Sequence, residues 1–245
     1  MNTPITHVRY LPAGDTALVV EFGDRIDREL SERVLRLGAQ VRTARLTGVI
    51  ETVATFRSLM VHYDPLRTSN AQLGIAIRNL LDEGGTEAQP RRLWRIPACY
   101  EPECAPDLAD VAQRTGLTTT DVIRLHSSCR FHVYMIGFVP GYPYMGDLPP
   151  ALVLPRRVDP RVRVPAGSIA IATTMTAIYP IESPGGWHLI GTTPVRLFDL
   201  GAAQPALLSP GDAVQFEPIS ASELERLRAA VAAGVYDVPC EVITA

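Results

Sequence analysis

Residues 131–146 read FHVYMIGFVPGYPYMG, an apolar run that gives way to glycine and proline interleaved with aromatic residues. No helix passes through Gly137, Pro140, Gly141 and Pro143, because proline removes a backbone donor and glycine carries a large entropic cost. Phe131 to Phe138 is instead a short β run closed by turn residues. The same texture continues to Pro218, with further β runs at Gly167 to Ala172, Leu189 to Thr192, Val195 to Phe198 and Ala213 to Phe216. Proline or glycine interrupts every few residues, and no stretch is long enough for a helix. Short strands at this spacing predict a barrel or sandwich.

Upstream of this block, Leu93 to Ala98 predicts a strand ending at Pro97. Ala105 to Thr115 and Thr119 to His126 predict two short helices, with Leu108, Val111, Val122 and Leu125 inward and Thr118 or Thr119 as an N-cap. Downstream, a closing helix runs from the N-cap Ser220, with Glu223 three residues on, to about Ala233 before Gly234.

The first third has different periods. Val8 to Leu11, Ala17 to Phe22, Val49 to Thr55 and Ser58 to Tyr63 read as strands. Ile26, Leu30, Val34, Leu37 and Val41 recur at helical spacing, as do Leu73, Ile77 and Leu80 in a second helix from about Thr68 to Leu81. The order β-β-α-β-β-α suits two helices on one face of a small antiparallel sheet. Glu87 to Arg92 reads as a linker, so the predicted class is α+β: a small N-terminal α+β sandwich domain over residues 1–86, then a β-barrel domain over 87–245. A chain of 245 residues accommodates two such domains.

With 47% apolar and 20% charged residues the chain is ordinary globular material. All 23 basic residues are arginine, and the absence of lysine excludes a P-loop, a Schiff base, a Ser-Lys dyad and a biotin attachment point within this chain. A net charge of −3 offers no global basis for nucleic-acid binding. Met1 to Tyr10 does not have the form of a signal peptide, and no apolar run approaches membrane-spanning length, so a cytoplasmic protein without a membrane anchor is expected. Cys99, Cys104, His126, Cys129 and His132 match no standard zinc-ligand spacing, and no metal site is expected.

Three segments carry residue types suited to chemistry. In 137–146, Phe138, Tyr142 and Tyr144 project from a stiff backbone and form either a pocket wall or a structural plug for the barrel end. In 155–168, Arg156, Arg157, Arg161 and Arg163 either grip a carboxylate or phosphate or protect a solvated edge strand. Pro165, Ala166, Gly167 and Ser168 could present backbone N–H groups to an anion. In 178–194, Tyr179, Glu182, Ser183, Trp187 and His188 surround a Pro-Gly-Gly turn. A Ser-His-Glu triad is imaginable there, although residues so close in sequence seldom converge in triad geometry. His126 and His132 are candidate general bases or structural histidines.

These segments, GFVPGYPYMGDLP (137–149), LPRRVDPRVRVPAGSIAIA (154–172), IYPIESPGGWHLIGTTP (178–194) and LFD (197–199), together with LPAGDTALVVEFGD (11–24), resemble a bacterial family. That family is variously called allophanate hydrolase subunit 1, the B subunit of 5-oxoprolinase, KipI or carboxyltransferase subdomain C and D. The resemblance implies a cyclophilin-like barrel as the second domain. It also implies partners, namely the C subunit (subunit 2, KipA-like) and the A subunit of 5-oxoprolinase, working together in ATP-dependent opening of 5-oxoproline to glutamate. No cofactor is implied for this chain alone, while ATP belongs to the complex. The substrate-binding positions it implies are Phe138, Pro140, Gly141, Tyr144, Arg156, Arg161, Pro165, Gly167, Ser168, Tyr179, Ser183, Gly185, Gly186 and Trp187, which would hold a small carboxylate-bearing substrate. It assigns no catalytic residue. Two departures stand out: Ala172 to Pro180 reads ATTMTAIYP where many members read AGGQTGIYP, and Thr192 replaces a common arginine. The family's other branches give the alternatives, an inhibitor of a sensor histidine kinase or a component of an allophanate hydrolase or urea carboxylase.

Overall fold

A computed structural model describes residues 8–83 and 91–243. The described residues divide into two compact units, 8–83 and 91–243. In the first, strands β1 (Arg9–Pro12), β2 (Ala17–Glu21), β3 (Val49–Ala54) and β4 (Ser58–Tyr63) form an antiparallel sheet in the order β1-β2-β4-β3. Helices α1 (Arg28–Ala44) and α2 (Asn70–Glu83) supply the apolar faces that the periodicity predicts, except that Ile26 precedes α1 and is exposed. Val34, Leu37, Leu73 and Ile77 pack with Val20, Phe22, Leu59 and Val61 in one core. Asp27 starts α1 by accepting hydrogen bonds from the Glu29 and Leu30 N–H groups.

In the second unit the short β runs close into a barrel. Strands β5 (Arg91–Cys99), β6 (Phe131–Ile136), β7 (Pro143–Gly146), β9 (Ser168–Ala172), β10 (Met175–Ile178), β12 (His188–Thr192) and β13 (Ala213–Ile219) run in the order β12-β9-β10-β7-β6-β13-β5. Pairing of Thr192 with Cys99 joins the ends. β13 and β5 are parallel and their neighbours antiparallel. β8 (Arg161–Val164) and β11 (Ser183–Gly185) form a separate two-stranded ribbon. Helices α3 (Leu108–Thr115), α4 (Thr119–Ser127) and α5 (Ala221–Ala232) complete the unit, α4 capped by Thr118 and α5 by Ser220. Among the described residues no helix is long and apolar enough to cross a membrane.

Several expectations need correction. Arg91 and Arg92 belong to β5 and not to a linker, while residues 87–90 of that expected linker lie outside the described residues. β5 continues through Pro97 to Cys99. It does so because β14 (Cys240–Ile243), a strand with no apolar pattern in the sequence, pairs only with Arg91 to Trp94, so the proline stands where that edge needs no ladder donor. Val195 to Phe198 is no strand. Val195 and Leu197 are buried, but the segment only exchanges isolated bonds with residues 205–207. Glu223 does not reach back to Ser220; its carboxylate pairs with Arg226.

Candidate functional site

The Gly-Pro loop after β6 folds as a tight turn. Phe138 and Gly141 both take positive φ (70° and 76°), and Phe138 remains 62% exposed with its ring edge-on to Tyr142 at 5.5 Å. Pro140 is exposed, while Gly141 is buried where a Cβ would meet Phe198 at 2.8 Å. Tyr142 in turn lies 5.0 Å from Tyr144, 5.1 Å from Tyr179 and 6.3 Å from Trp187, and Tyr144 is 6.1 Å from Trp187. Five rings from the 137–146 and 178–194 segments therefore form one aromatic cluster. Burial raises the Tyr142 phenol well above its ordinary pKa, and its hydrogen bond to Tyr179 adds to the rise. The same bond lowers Tyr179, whose net rise also comes first from burial.

The arginines of residues 156–163 separate into two roles. Arg161 and Arg157 bind a carboxylate from their own chain: both terminal nitrogens of Arg161 lie 2.7 and 2.8 Å from Asp107, and Arg157 adds a bond of 3.1 Å. The Leu189 N–H completes the set at 2.7 Å. Burial by itself raises the Asp107 carboxyl, but the Arg161 bonds, the Leu189 donor and the two arginine charges outweigh it and hold the group below its usual range. Arg163 pairs with exposed Glu182 through two bonds of 2.9 Å. Arg156 is different. Its guanidinium stands 6.0 Å over the Trp187 ring, lowers the pKa of the Tyr142, Tyr144 and Tyr179 phenols through its charge, is exposed, and has no ion pair among the described residues. It is the cation at this cluster that remains able to take an external carboxylate.

The remaining predicted positions shape the backbone. Gly185 lies against Tyr179, where a Cβ would come within 2.1 Å of the phenol oxygen, and the Gly186 carbonyl accepts from the Arg157 N–H at 2.8 Å. Gly167, at φ 82°, donates to the Tyr179 carbonyl at 2.7 Å, and Pro165 opens that turn by accepting from the buried Ser168 N–H. A Cβ at Gly167 would sit 2.5 Å from the Thr193 carbonyl oxygen, a backbone atom that cannot rotate aside. Gly167→Ala therefore combines left-handed strain with a clash and is expected to cost about 2 kcal/mol, read from urea unfolding.

No triad assembles in 178–194. Glu182 is held by Arg163, and His188 spends its Nε2–H on the Pro155 carbonyl at 3.0 Å, while the buried Ser183 hydroxyl has no hydrogen-bond partner among the described residues. The candidate bases His126 and His132 are buried in the barrel. The described residues gather no group of three His, Cys, Asp or Glu side chains able to hold a metal.

Over residues 8–208 the sequence matches the family described as carboxyltransferase domain, subdomain C and D. The chain belongs to that family. It is 37% identical over 218 residues to the B subunit of the 5-oxoprolinase of Bacillus subtilis (strain 168), covering 84% of this chain and 91% of the relative. The solved structure of TTHA0988 agrees at a TM-score of 0.76 and 36% identity over 84% of this chain, which spans 40% of that longer chain. The urea carboxylase of Kluyveromyces lactis matches at a TM-score of 0.80 and 22% identity, over 99% of this chain and 25% of its own, a likeness of fold alone.

Within this carboxyltransferase-family barrel the departing positions are structurally employed. Ala172 to Met175 turns β9 into β10, with Thr173 at φ 52°, and Met175 is buried. Thr192 donates to the Cys104 carbonyl at 2.8 Å. Asp107, which anchors the arginine segment, is not among the positions expected from sequence. Its only local signal is a carboxylate at a helix start, where its side chain makes no cap bond.

Proposed function

We propose that this chain is the B subunit of a 5-oxoprolinase and that its aromatic cluster and Arg156 hold the lactam substrate by its ring and carboxylate. The reading rests on the relatives that are B subunits of 5-oxoprolinases, and the single observation that carries the site is Arg156, an exposed, unpaired cation beside the aromatic cluster. 5-Oxoproline is a small lactam bearing one carboxylate, matched by the Arg156 guanidinium and the rings of the cluster that keep exposed surface, Tyr144 and Phe138, while Tyr142, Tyr179 and Trp187 are buried. Opening it adds water to the carbonyl carbon, breaks the C–N bond and delivers a proton to the departing nitrogen. With no lysine in this chain, a lysine needed for ATP phosphates comes from the A or the C partner. Four free thiols fit the reducing cytoplasm.

The test is reconstitution with candidate A and C partners, following glutamate formation from 5-oxoproline. Arg156→Ala removes a charge-assisted contact to the carboxylate and is expected to raise KM about 10-fold or more with a smaller change in kcat. Full turnover without this chain would sink its assignment to the complex, and an unchanged KM in Arg156→Ala would sink the carboxylate contact.

A further inference from the structure

The N-terminal unit holds a cavity of about 500 Å³ between α1, α2 and the start of the sheet, lined by arginines the site above does not use. Arg33, Arg36 and Gln40 fall at i, i+3 and i+7 along α1 and so share one helix face. Arg78 reaches the cavity from α2, its guanidinium 4.9 Å over the Tyr10 ring, and Arg33 lies 4.9 Å over Phe22. None of the three arginines has an ion pair among the described residues. Asp82 lines the same cavity one turn after Arg78, yet the two do not pair, which leaves a net excess of two positive charges.

Two buried polar atoms at this place have no hydrogen-bond partner among the described residues: the Tyr10 hydroxyl and Arg33 Nη1. An orphaned donor away from water is costly, and two beside a cavity are a reason to expect an acceptor there. Burial lowers the Arg33 pKa; Glu29 opposes that shift and the like charge of Arg36 reinforces it, so an anion between the two arginines would relieve the repulsion. Gln40 holds the wall by donating to the Leu80 carbonyl on α2 at 3.1 Å. The remaining lining, Val8, Phe22 and Leu81, is apolar, and the volume exceeds that of a bare inorganic ion.

We propose that this cavity binds a small organic oxyanion, a carboxylate or phosphate carried on an apolar body, with Arg33, Arg36 and the Tyr10 hydroxyl on the oxyanion and the body against Val8 and Leu81. The site lies in a different unit from the barrel cluster and does not depend on the 5-oxoprolinase reading.

The test is calorimetric titration of the full chain at low salt with phenyl phosphate and, separately, benzoate, which share a body and differ in the oxyanion. Saturable binding is expected for at least one, and the preferred probe identifies the oxyanion. Arg36→Gln, at an exposed position, is expected to weaken it about 10-fold. Arg156→Gln, in the barrel, should leave it unchanged. The proposal is overturned if neither probe saturates at about 10 mM, if Arg36→Gln binds as the parent does, or if the loss follows Arg156→Gln instead.

Discussion

Asp107→Ala is expected to destabilise the barrel by about 3–5 kcal/mol, the range for breaking a buried ion pair by removing one partner. The carboxylate is 6% exposed and receives four hydrogen bonds, three from arginine side chains only 26–28% exposed and one from the Leu189 backbone. Its loss leaves Arg157 and Arg161 facing one another without a counter-charge and a buried N–H without an acceptor. Arg161→Ala should cost more than Arg157→Ala, because Arg161 binds with both terminal nitrogens. Both tryptophans, Trp94 and Trp187, lie in this unit, so their fluorescence in urea reads the barrel alone. A loss under about 1 kcal/mol would show that the arginines find water instead. The sign with pH follows from the depressed carboxyl: the contribution is full above the ordinary carboxylate pKa of about 3.9 and disappears as pH falls through the lower folded value. Asp107→Ala should therefore flatten that part of the acid profile.

That one carboxylate also explains why the site was only partly legible in sequence. The segments were readable because glycine, proline and aromatic residues at close spacing constrain the backbone locally, and the rings of 137–146 and 178–194 do meet. What could not be read locally was which arginine is free. Arg156 and Arg161 stand five residues apart on the same basic stretch, yet a carboxylate more than fifty residues away occupies one and leaves the other. Ion pairing across such a separation leaves no periodic trace.

The fold shows the same division. Helices α1 and α2 and strands β2 and β4 of the first unit follow from apolar periods because each buries one face. Strand β14 has the pattern exposed, exposed, exposed, intermediate, so it has no alternation to detect; it is held by the backbone ladder to Arg91 to Trp94 and by the Arg95–Glu241 ion pair at 2.8 Å. Val195 to Phe198 fails in the opposite sense. Its alternating apolar residues are buried without a ladder, since alternation records burial and not hydrogen bonding.

His126 was legible as a histidine near a helix end and misleading as a candidate base. It is fully buried, stacked 4.6 Å from Phe216, with Nδ1 2.8 Å from the Tyr100 hydroxyl and Nε2 2.9 Å from the Thr176 hydroxyl. Thr176 gives its one proton to the Ala170 carbonyl at 3.1 Å, so its oxygen must accept from His126 Nε2–H, and Nδ1 accepts from Tyr100. Both ring nitrogens are thus committed within the core. Burial pushes the imidazole down to about 3. An unfolded histidine titrates near 6.5, so below that pH the unfolded chain takes up a proton that the folded chain refuses until about pH 3. Barrel stability is expected to fall by up to about 1.4 kcal/mol for each pH unit across that window. Asp212 works in the opposite sense, because burial raises its carboxyl, so the histidine contribution is read as the difference between wild type and His126→Gln. The direct check is the His126 ring proton resonance, expected to stay at its neutral position from pH 8 to pH 5. A resonance that titrates near pH 6.5 would return His126 to the candidates for proton transfer.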